Sequence, residues 1–177
     1  MDQEQRSTKE PAVGLPYFPE GYIDPNQIEG FLPWSYAEER LKRARAYWVG
    51  TVAAGGQPHI TPIWGVWLDG ALYFEGSPQT RRGRNIAANS KIVVHLDGNE
   101  NGEDVLILQG EAHKVLKPER SLTGRLSAIF SEKYAYENYS PAPDAWDDGG
   151  LYRMKPHLAI GWTKFLRDPT RWIFEVE

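Results

Sequence analysis

Short apolar runs, separated by Gly, Pro and Asp, dominate the chain from residue 47 onward. The segments YWVGTVAA, PHITPIWGVWL and ALYFEG begin at Tyr47, Pro58 and Ala71, and they have the length and the β-branched and aromatic content of strands. Asp69-Gly70 separates the second segment from the third and is typical of a two-residue hairpin turn. The pattern predicts three consecutive antiparallel strands.

The second of these strands is apolar at both alternating sets of positions. Ile60 and Trp64 fall on one side of it, and Ile63 and Trp67 fall on the other. Such a strand is covered on both faces, so one face should meet the core and the other should meet something else. Pro62 cannot donate a backbone hydrogen bond to a neighbouring strand, which predicts an edge or a bulge there.

The remaining pattern adds strands and places helices at their margins. Four later segments are strand-like: 91–98, 103–117, 151–165 and 171–177. One helix is predicted from Ser35 to about Ala46, where Ser35 and Glu38 have the spacing of a capping box. Two more are predicted over 79–89 and 118–135. Short antiparallel strands with marginal helices favour a mainly β fold closed into a barrel.

Residues 1–33 are predicted to be an N-terminal arm, and 34–177 a single domain. Five prolines in the arm break any periodic element. Apolar residues such as Phe18, Tyr22 and Phe31 still occur there, and a free tail would have little use for them. We therefore expect the latter half of the arm to pack over the domain or over a second subunit.

Composition excludes several classes of protein. The chain has 177 residues and no cysteine, which rules out disulfide scaffolds, cysteine nucleophiles and thiolate-bound metal sites. No apolar run approaches the ~18 residues of a membrane span, and the polar N-terminus does not resemble a secretory signal, so a cytoplasmic location is expected. A net charge of -4 argues against a general nucleic-acid surface. Seven Trp, nine Tyr and six Phe predict either a large aromatic core or a site for a flat ring.

The segment from Ser77 to Asn85 carries the clearest candidate chemistry. It follows a predicted strand, opens a predicted helix, and contains Arg81, Arg82 and Arg84. A helix N-terminus offers free N–H groups and partial positive charge, and arginine offers forked donors, so the segment suits a phosphate. A solvated basic turn is the other interpretation.

Other candidate groups are weaker. The four histidines are dispersed without metal-ligand spacing, so no metal site is expected. His59 is either a proton donor beside the second strand or an ordinary hydrogen-bonded histidine. Tyr134, Tyr136 and Tyr139 either line a substrate mouth or pack at a helix end. No serine-hydrolase elbow and no P-loop is present.

Several segments together resemble one known family. The run TRRGRNIAANSKIVVHL, residues 80–96, resembles the phosphate segment of the pyridoxamine 5'-phosphate oxidase-like family, the FMN-binding split barrels. The three strands upstream, the VLILQGEAHKV stretch and the closing PHLAIGW and PTRWIF segments resemble further strands of that family, in the same order. The resemblance covers about residues 34–177.

The resemblance implies a six-stranded antiparallel Greek-key split β-barrel with peripheral helices, forming a homodimer. It implies one FMN in each of two grooves between subunits, with the deazaflavin F420 as the alternative cofactor. Arg81 and Arg82 would hold the phosphate, and Thr80 would donate its hydroxyl. The other residues that the resemblance assigns to the cofactor are Thr61, Pro62, Ile63, Trp64, Glu75, Gly76, Asn85, Trp162 and Arg171, the last two coming from the partner subunit.

The sequence departs from the oxidase itself at the positions that bind its substrate. His59 and Trp64 stand near the Arg and Lys of the oxidase's second strand, and Thr170-Arg171-Trp172 replaces its Arg-x-His motif. We therefore do not expect vitamin B6 oxidation. Glu75 adds a negative charge where many relatives have Thr or Ser.

The tryptophans of the second strand resemble a branch of the family that often uses F420. The acidic tail of that cofactor would suit the basic residues of the first helix, Arg40, Lys42, Arg43 and Arg45, which are otherwise a solvated face. The function expected from the resemblance is a flavin-dependent oxidoreductase that transfers hydride to or from an unknown small molecule. The alternatives are an F420-dependent reductase, a non-catalytic flavin- or haem-binding protein, and a dimeric interaction protein without a cofactor.

Overall fold

The computed structural model describes residues 10–175, which form a mainly antiparallel β-sheet protein with three helices. The strands are β1 (Ala12–Gly14), β2 (Tyr47–Val52), β3 (Pro58–Ile63), β4 (Gly65–Leu68), β5 (Ala71–Glu75), β6 (Lys91–Leu96), β7 (Val105–Lys114), β8 (Leu151–Trp162) and β9 (Thr170–Ile173). The helices are α1 (Trp34–Arg43), α2 (Arg81–Ala88) and α3 (Arg120–Lys133), with short 3-10 turns at Pro25–Gln27 and Ala135–Glu137.

The strands pair in one continuous path whose two ends are not paired with each other. The strands run in the order β3-β2-β6-β7-β8-β5-β4, and all of their pairings are antiparallel. The two ends of this path, β3 and β4, are adjacent in the chain and are separated by Trp64 alone. Counted as one bent segment, β3 and β4 make six barrel segments, in agreement with the predicted split barrel. The strand β9, and then β1, extend the sheet beyond β8.

Two apolar clusters fill the structure. The larger lies inside the barrel and under α1 and α2, and it includes Tyr47, Phe74 and Trp172. The smaller lies between the β4–β5 hairpin and α3, and it includes Phe130 and Trp146. Because α3 brings an apolar face to the hairpin, the segment between β7 and β8 is tied to the barrel.

The predicted hairpin turn is confirmed. Asp69 and Gly70 both have positive φ, 50° and 72°, as a type I′ turn requires. The Asp69 carboxylate accepts hydrogen bonds from both Nη atoms of Arg125 on α3, at 2.7 and 2.8 Å. This contact and the apolar cluster hold α3 against the turn.

The predicted capping box at the first helix is wrong. The helix begins one residue earlier than predicted, at Trp34, with Pro33 at the N-cap and no side-chain cap. Trp34 enters the helix because its ring packs edge-on against Trp67 and Trp172. Glu38 instead pairs with Lys42 at 2.8 Å and accepts a hydrogen bond from Trp67 Nε1 at 3.3 Å.

The second predicted strand is divided into β3 and β4, and its outer side is open over β3. The sheet path ends at β3, so Pro62 does lie on an edge strand, as predicted. The interior holds Ile63 and Trp67, whereas Ile60 is 52% exposed and Trp64 is 39% exposed. The outer side is covered only in part, because Val66 is fully buried against α3 whereas Ile60 and Pro62 are exposed.

The predicted arm contains more regular structure than its prolines suggested. Its residues Ala12–Gly14 pair with Trp172 and its neighbours in β9, so a short strand forms between Pro11 and Pro16. The first nine residues of the predicted arm, and the last two of the predicted strand over 171–177, lie outside the described residues.

No helix within residues 10–175 has the length and apolar character to cross a bilayer. In the same range, no group of three or more His, Asp or Glu side chains is arranged to hold a metal ion.

Candidate functional site

The start of α2 presents unpaired donors beside the end of β5. Thr80 is the N-cap, and its hydroxyl oxygen accepts from the Gly83 N–H at 3.0 Å while donating to the Ser77 carbonyl at 2.8 Å. Among the described residues, the backbone N–H groups of Arg81 and Arg82 have no hydrogen-bond partner. These two groups and the positive end of the helix dipole suit an anion.

Arg82 links three elements around this helix start. Its Nη1 donates to Thr61 Oγ1 on β3 at 3.2 Å, and its Nη2 donates to the Glu75 carbonyl at the end of β5 at 3.1 Å. The guanidinium is half-buried and lies 5.8 Å from the centroid of the Phe74 ring. Burial lowers the pKa of Arg82, yet within residues 10–175 no carboxylate pairs with it or with Arg81. The site therefore holds a partly desolvated cation without a counter-ion.

Close packing fixes the position of α2. A Cβ on Gly83 would come within 2.6 Å of the Ser77 carbonyl oxygen, so only glycine lets the helix start lie this close to the preceding loop. Asn85 is buried and donates to Thr51 Oγ1 on β2 at 2.9 Å. The sequence analysis assigned Asn85 to the cofactor, but it did not identify Thr51, whose partner becomes visible only in the folded chain.

The carboxylate of Glu75 points away from the helix start. It accepts hydrogen bonds from the Tyr139 hydroxyl and from Trp146 Nε1, both on the segment that follows α3. The negative charge noted in the sequence therefore does not oppose Arg82. Its neighbour Gly76 lies directly beside that arginine, because a Cβ there would be 2.7 Å from Arg82 Nη2.

The four residues assigned on the second strand have different surroundings. Thr61 contacts Arg82, Pro62 is exposed on the outer side of the sheet, and Ile63 lies in the barrel core. Trp64 stacks on Tyr134, with ring centroids 4.7 Å apart and an interplanar angle of 16°.

Trp162 and Arg171 lie far from Arg82 within one chain. Leu151, the first residue of β8, pairs with Glu75, whereas Trp162 is the last residue of that 12-residue strand. At about 3.3 Å per residue the two ends of β8 are roughly 35 Å apart. Arg171 pairs with Ile160 near the Trp162 end, and its Nε is buried without a hydrogen-bond partner in the described chain. One protomer therefore brings together Thr61, Gly76 and Arg82 but not these two residues.

The model of the pyridoxamine 5'-phosphate oxidase family matches residues 35–163, which include α2 and the strands around it. The chain belongs to the pyridoxamine 5'-phosphate oxidase family. The matched range ends before Arg171. No protein of curated function matches the chain.

Solved structures support the fold of this family. An F420 reductase is 22% identical, with a TM-score of 0.54 over 69% of this chain and 94% of that chain. A FAD-binding protein from Mesorhizobium loti is 15% identical, with a TM-score of 0.58 over 80% and 95%. The haem storage protein HutZ from Vibrio cholerae is 19% identical, with a TM-score of 0.53 over 71% and 90%. At these identities the similarity shows the fold alone.

Lys133 is a notable residue that the sequence analysis missed. It lies on α3 behind Trp64, and its Nζ donates to Tyr47 Oη at 2.8 Å and to the Gly65 carbonyl at 3.0 Å. Burial lowers its pKa to about 8, and no carboxylate in residues 10–175 pairs with it. The fold thus places the Lys133 ammonium group on α3 beside Gly65, at the start of β4. The burial of Lys133 could not be predicted from the sequence, because the polar and apolar residues of α3 form only a weak amphipathic pattern.

The tyrosines after α3 serve different purposes. Tyr134 is fully buried, and its hydroxyl accepts from the Gly65 N–H at 2.8 Å. Its one proton is shared between the Arg45 and Gly65 carbonyl oxygens, both at 2.9 Å, so Tyr134 has a packing role. Tyr139 is bound to Glu75. Tyr136 is 50% exposed, and the Arg45 guanidinium lies 4.6 Å from its ring centroid. Of the three, Tyr136 is therefore the one that is open to a ligand.

His59 faces the same side of β3 as Thr61. It pairs with Thr51, the residue that holds Asn85, and its Nδ1 is buried without a partner among the described residues.

The basic residues of α1 are partly neutralised. Arg40 pairs with Asp104 at 3.3 Å and donates to the Asp97 carbonyl at 3.2 Å, and Lys42 pairs with Glu38. A cleft of about 340 Å³ at the end of α1 is lined by Arg40, Arg43, Ala44, Arg45, Ala46, Leu96 and Asp97. Arg43 and Arg45 are the two cations of this cluster without a carboxylate partner in the described chain.

Proposed function

We propose that the protein is an FMN-dependent oxidoreductase that works as a homodimer and transfers hydride to or from a small molecule. One observation carries the proposal: the half-buried guanidinium of Arg82 lies at a helix N-terminus without a counter-ion. Desolvating an unpaired cation is costly, and a bound phosphate would offset that cost with charge-assisted hydrogen bonds. Membership of the family supports a flavin as the source of that phosphate.

Different residues of this site would bind the phosphate and the ring of the flavin. Arg82 and the free N–H groups of Arg81 and Arg82 would hold the phosphate, and the Arg81 side chain would add an exposed charge. Thr80 would act by fixing the start of the helix, because its hydroxyl already accepts from Gly83. The backbone of Thr61–Ile63 would lie along the flavin, and Trp64 would limit the space over the ring.

The pattern of side chains on the outer face of the sheet supports a dimer. One row of directly opposed residues crosses six strands on that face: Pro62, Trp48, His95, Ile107, Ile160 and Arg171. With strands about 4.8 Å apart, the ends of the row are separated by roughly 24 Å. A two-fold axis near its centre would place Arg171 of each protomer opposite Pro62 of the other. Trp162 lies on the same face as Ile160 and would also reach the partner's site.

The bound flavin would supply the hydride chemistry. The chain would supply position, positive charge and shelter from water. Lys133 would contribute an ammonium group behind Trp64, and the aromatic residues around Trp64 would keep that end of the site apolar. The departures at His59, Trp64 and Thr170–Trp172 favour a substrate other than a B6 vitamer.

A second candidate is an F420-dependent reductase, favoured by the cleft at the end of α1. Arg43 and Arg45 have no carboxylate partner in residues 10–175, and they line this cleft on the side of Tyr136 and Trp64. An acidic cofactor tail would find two cations there.

Titration of the apo-protein with FMN, riboflavin and F420, followed by tryptophan fluorescence, tests these proposals. We expect FMN to bind more tightly than riboflavin, because riboflavin lacks the phosphate. Arg82→Ala should weaken FMN binding by roughly 10- to 100-fold and leave riboflavin binding nearly unchanged. Arg84→Ala is the matched control, because it removes the same charge from an exposed position on the same helix.

Tighter binding of F420 than of FMN would support an F420-dependent reductase, provided that Arg43→Ala and Arg45→Ala abolish this preference. A Soret band in the purified protein would indicate a haem-binding role. Equal FMN affinity in wild type and Arg82→Ala would contradict the assignment of the phosphate site, and no binding of any of the three would contradict the proposed function.

A further inference from the structure

The arm is fastened at several points to the hairpin formed by β8 and β9. Its strand β1 pairs with β9, and the Glu29 N–H donates to the Arg167 carbonyl at 2.7 Å. The Arg167 guanidinium pairs with the Glu29 carboxylate at 2.7 Å. The Leu32 N–H donates to Thr170 Oγ1 at 2.9 Å. Three of these contacts lie between residues 163 and 170, which comprise the loop that joins the two strands and the first residue of β9.

A continuous series of aromatic rings connects the arm to Trp162. The Trp162 ring lies 5.1 Å from Phe165, and Phe165 lies 5.7 Å from Phe18, both in edge-on geometry. Phe18 then stacks on Tyr22 at 5.8 Å with an interplanar angle of 9°. Aromatic pairs in these geometries are stabilising, so the arm restrains the orientation of the Trp162 ring.

The arm also lies beside Arg171. Gly14 of β1 is directly opposite Arg171, and a Cβ at Gly14 would be 3.8 Å from Arg171 Nη2. The buried Nε of Arg171 has no hydrogen-bond partner in the described chain. The contacts of the arm therefore converge on the two residues that a single protomer leaves far from Arg82.

We propose that the arm is a positioning element for the half of the cofactor site that each protomer supplies to its partner. This inference rests on the proposed function. The arm holds residues 163–170 in place and so fixes the positions of Trp162 and Arg171. In these positions the two side chains would contact the flavin that is bound at α2 of the other protomer. Phe18, Glu29 and Arg167 are positioning residues that do not themselves touch the cofactor.

Two adjacent arm residues offer a matched pair of variants. Phe18→Ala removes the ring that joins Tyr22 to Phe165, whereas Tyr17→Ala removes a ring that is 85% exposed. We expect Phe18→Ala to weaken FMN and riboflavin binding to the same degree, by roughly tenfold, and to alter the flavin circular dichroism. Equal loss for both ligands distinguishes this effect from that of Arg82→Ala, which is specific for the phosphate. Tyr17→Ala should match wild type in each measurement.

A mixed dimer tests whether the arm acts across the interface. One protomer carries Arg82→Ala and the other carries Phe18→Ala, with different affinity tags for purification. The Phe18→Ala protomer supplies an intact Arg82, and its partner supplies an intact arm. We therefore expect one site of wild-type affinity per mixed dimer, although neither variant homodimer has such a site.

The outcomes separate the two proposals. If wild type binds FMN but the mixed dimer has no tight site, the arm acts within its own protomer and the inference is wrong. The same conclusion follows if Phe18→Ala binds FMN with wild-type affinity and an unchanged flavin spectrum. If wild type itself binds no flavin, the proposed function fails, and the inference fails with it.

Discussion

Glu75 and Arg82 meet through the backbone and not through their opposite charges. Arg82 Nη2 donates to the Glu75 main-chain carbonyl at 3.1 Å, while the Glu75 carboxylate is held on the other side of the strand end by Tyr139 and Trp146. The acidic side chain thus fastens the segment after α3, and the arginine stays available for an anion. An ion pair between them would have occupied the site.

Replacement of Glu75 should affect stability far more than cofactor binding. Glu75→Gln places an amide N–H₂ group where two donors, Tyr139 Oη and Trp146 Nε1, now share a carboxylate. One donor would lose its acceptor in a partly buried place, at a cost of about 1–3 kcal/mol. Urea unfolding should show this loss, whereas FMN affinity should change less than threefold. A large loss of FMN affinity with unchanged stability would show that the carboxylate acts at the cofactor.

Gly76→Ala is a probe of Arg82 that leaves the charge in place. The new Cβ would come 2.7 Å from Arg82 Nη2, which is the flexible end of a side chain and can move. We expect the guanidinium to be displaced from Thr61 and FMN to bind roughly tenfold more weakly, at little cost in thermal stability. Isothermal titration calorimetry with FMN, and with riboflavin as the ligand without a phosphate, measures the effect. Unchanged FMN affinity would mean that Arg82 does not contact the phosphate.

Lys133 should make stability increase with pH in the alkaline range. Burial lowers its pKa from 10.5 to about 8, so between those values the unfolded chain binds more protons than the folded chain. The free energy of unfolding should then rise by about 2 kcal/mol from pH 7.5 to 9.5. Above about pH 10 the trend should reverse, because burial raises the pKa of Tyr47 and Tyr134, and the unfolded chain then loses those protons first.

Lys133→Met isolates this contribution. Tyr47 Oη keeps its hydrogen bond to the Leu41 carbonyl, and the Tyr134 hydroxyl stays as a donor 2.9 Å from the Gly65 carbonyl oxygen. Urea unfolding across this pH range should show no rise for the variant, and stability at pH 7.5 should equal or exceed that of wild type. Lys91→Met, at an exposed strand position, should retain the rise. A rise of equal size in Lys133→Met would show that other groups cause it.

The sequence was informative where local pattern decides the structure. Asp69-Gly70 predicted its turn because that turn needs positive φ at both residues. The sequence also predicted a helix over 79–89, and α2 occupies Arg81–Ala88 with Thr80 as its N-cap. In contrast, Ser35 and Glu38 have the spacing of a capping box, but the packing of Trp34 on Trp67 and Trp172 extends the helix past that position. Tertiary packing of an aromatic side chain outweighed a local cap.

The parts of the site that the sequence did not reveal depend on distant contacts. In the sequence, Glu75 is interpreted as a charge unfavourable to phosphate binding. Its hydrogen-bond partners Tyr139 and Trp146 lie more than sixty residues later in the chain, so their effect could not be predicted. Lys133 could not be identified from the sequence, because its contacts with Tyr47 and Gly65 form only when the fold brings α3 against β4. The resemblance implies that Trp162 and Arg171 act from a partner subunit, and this stays a prediction. Within one chain the two residues lie at the end of β8 that is distant from Arg82.

The outer face of the sheet makes the dimer testable without any cofactor. Ile60 and Val93 are 52% and 39% exposed, and they lie in one row on either side of Gly50. An acidic residue in the middle of an apolar interface is buried without a partner and should prevent association. We expect sedimentation velocity to show a dimer for wild type and a monomer for Ile60→Asp. Leu116→Asp, at a residue 79% exposed outside the strands, should remain a dimer. A monomeric wild type, or a dimeric Ile60→Asp, would place the interface elsewhere or remove it, and the partner's Arg171 could then no longer reach the flavin.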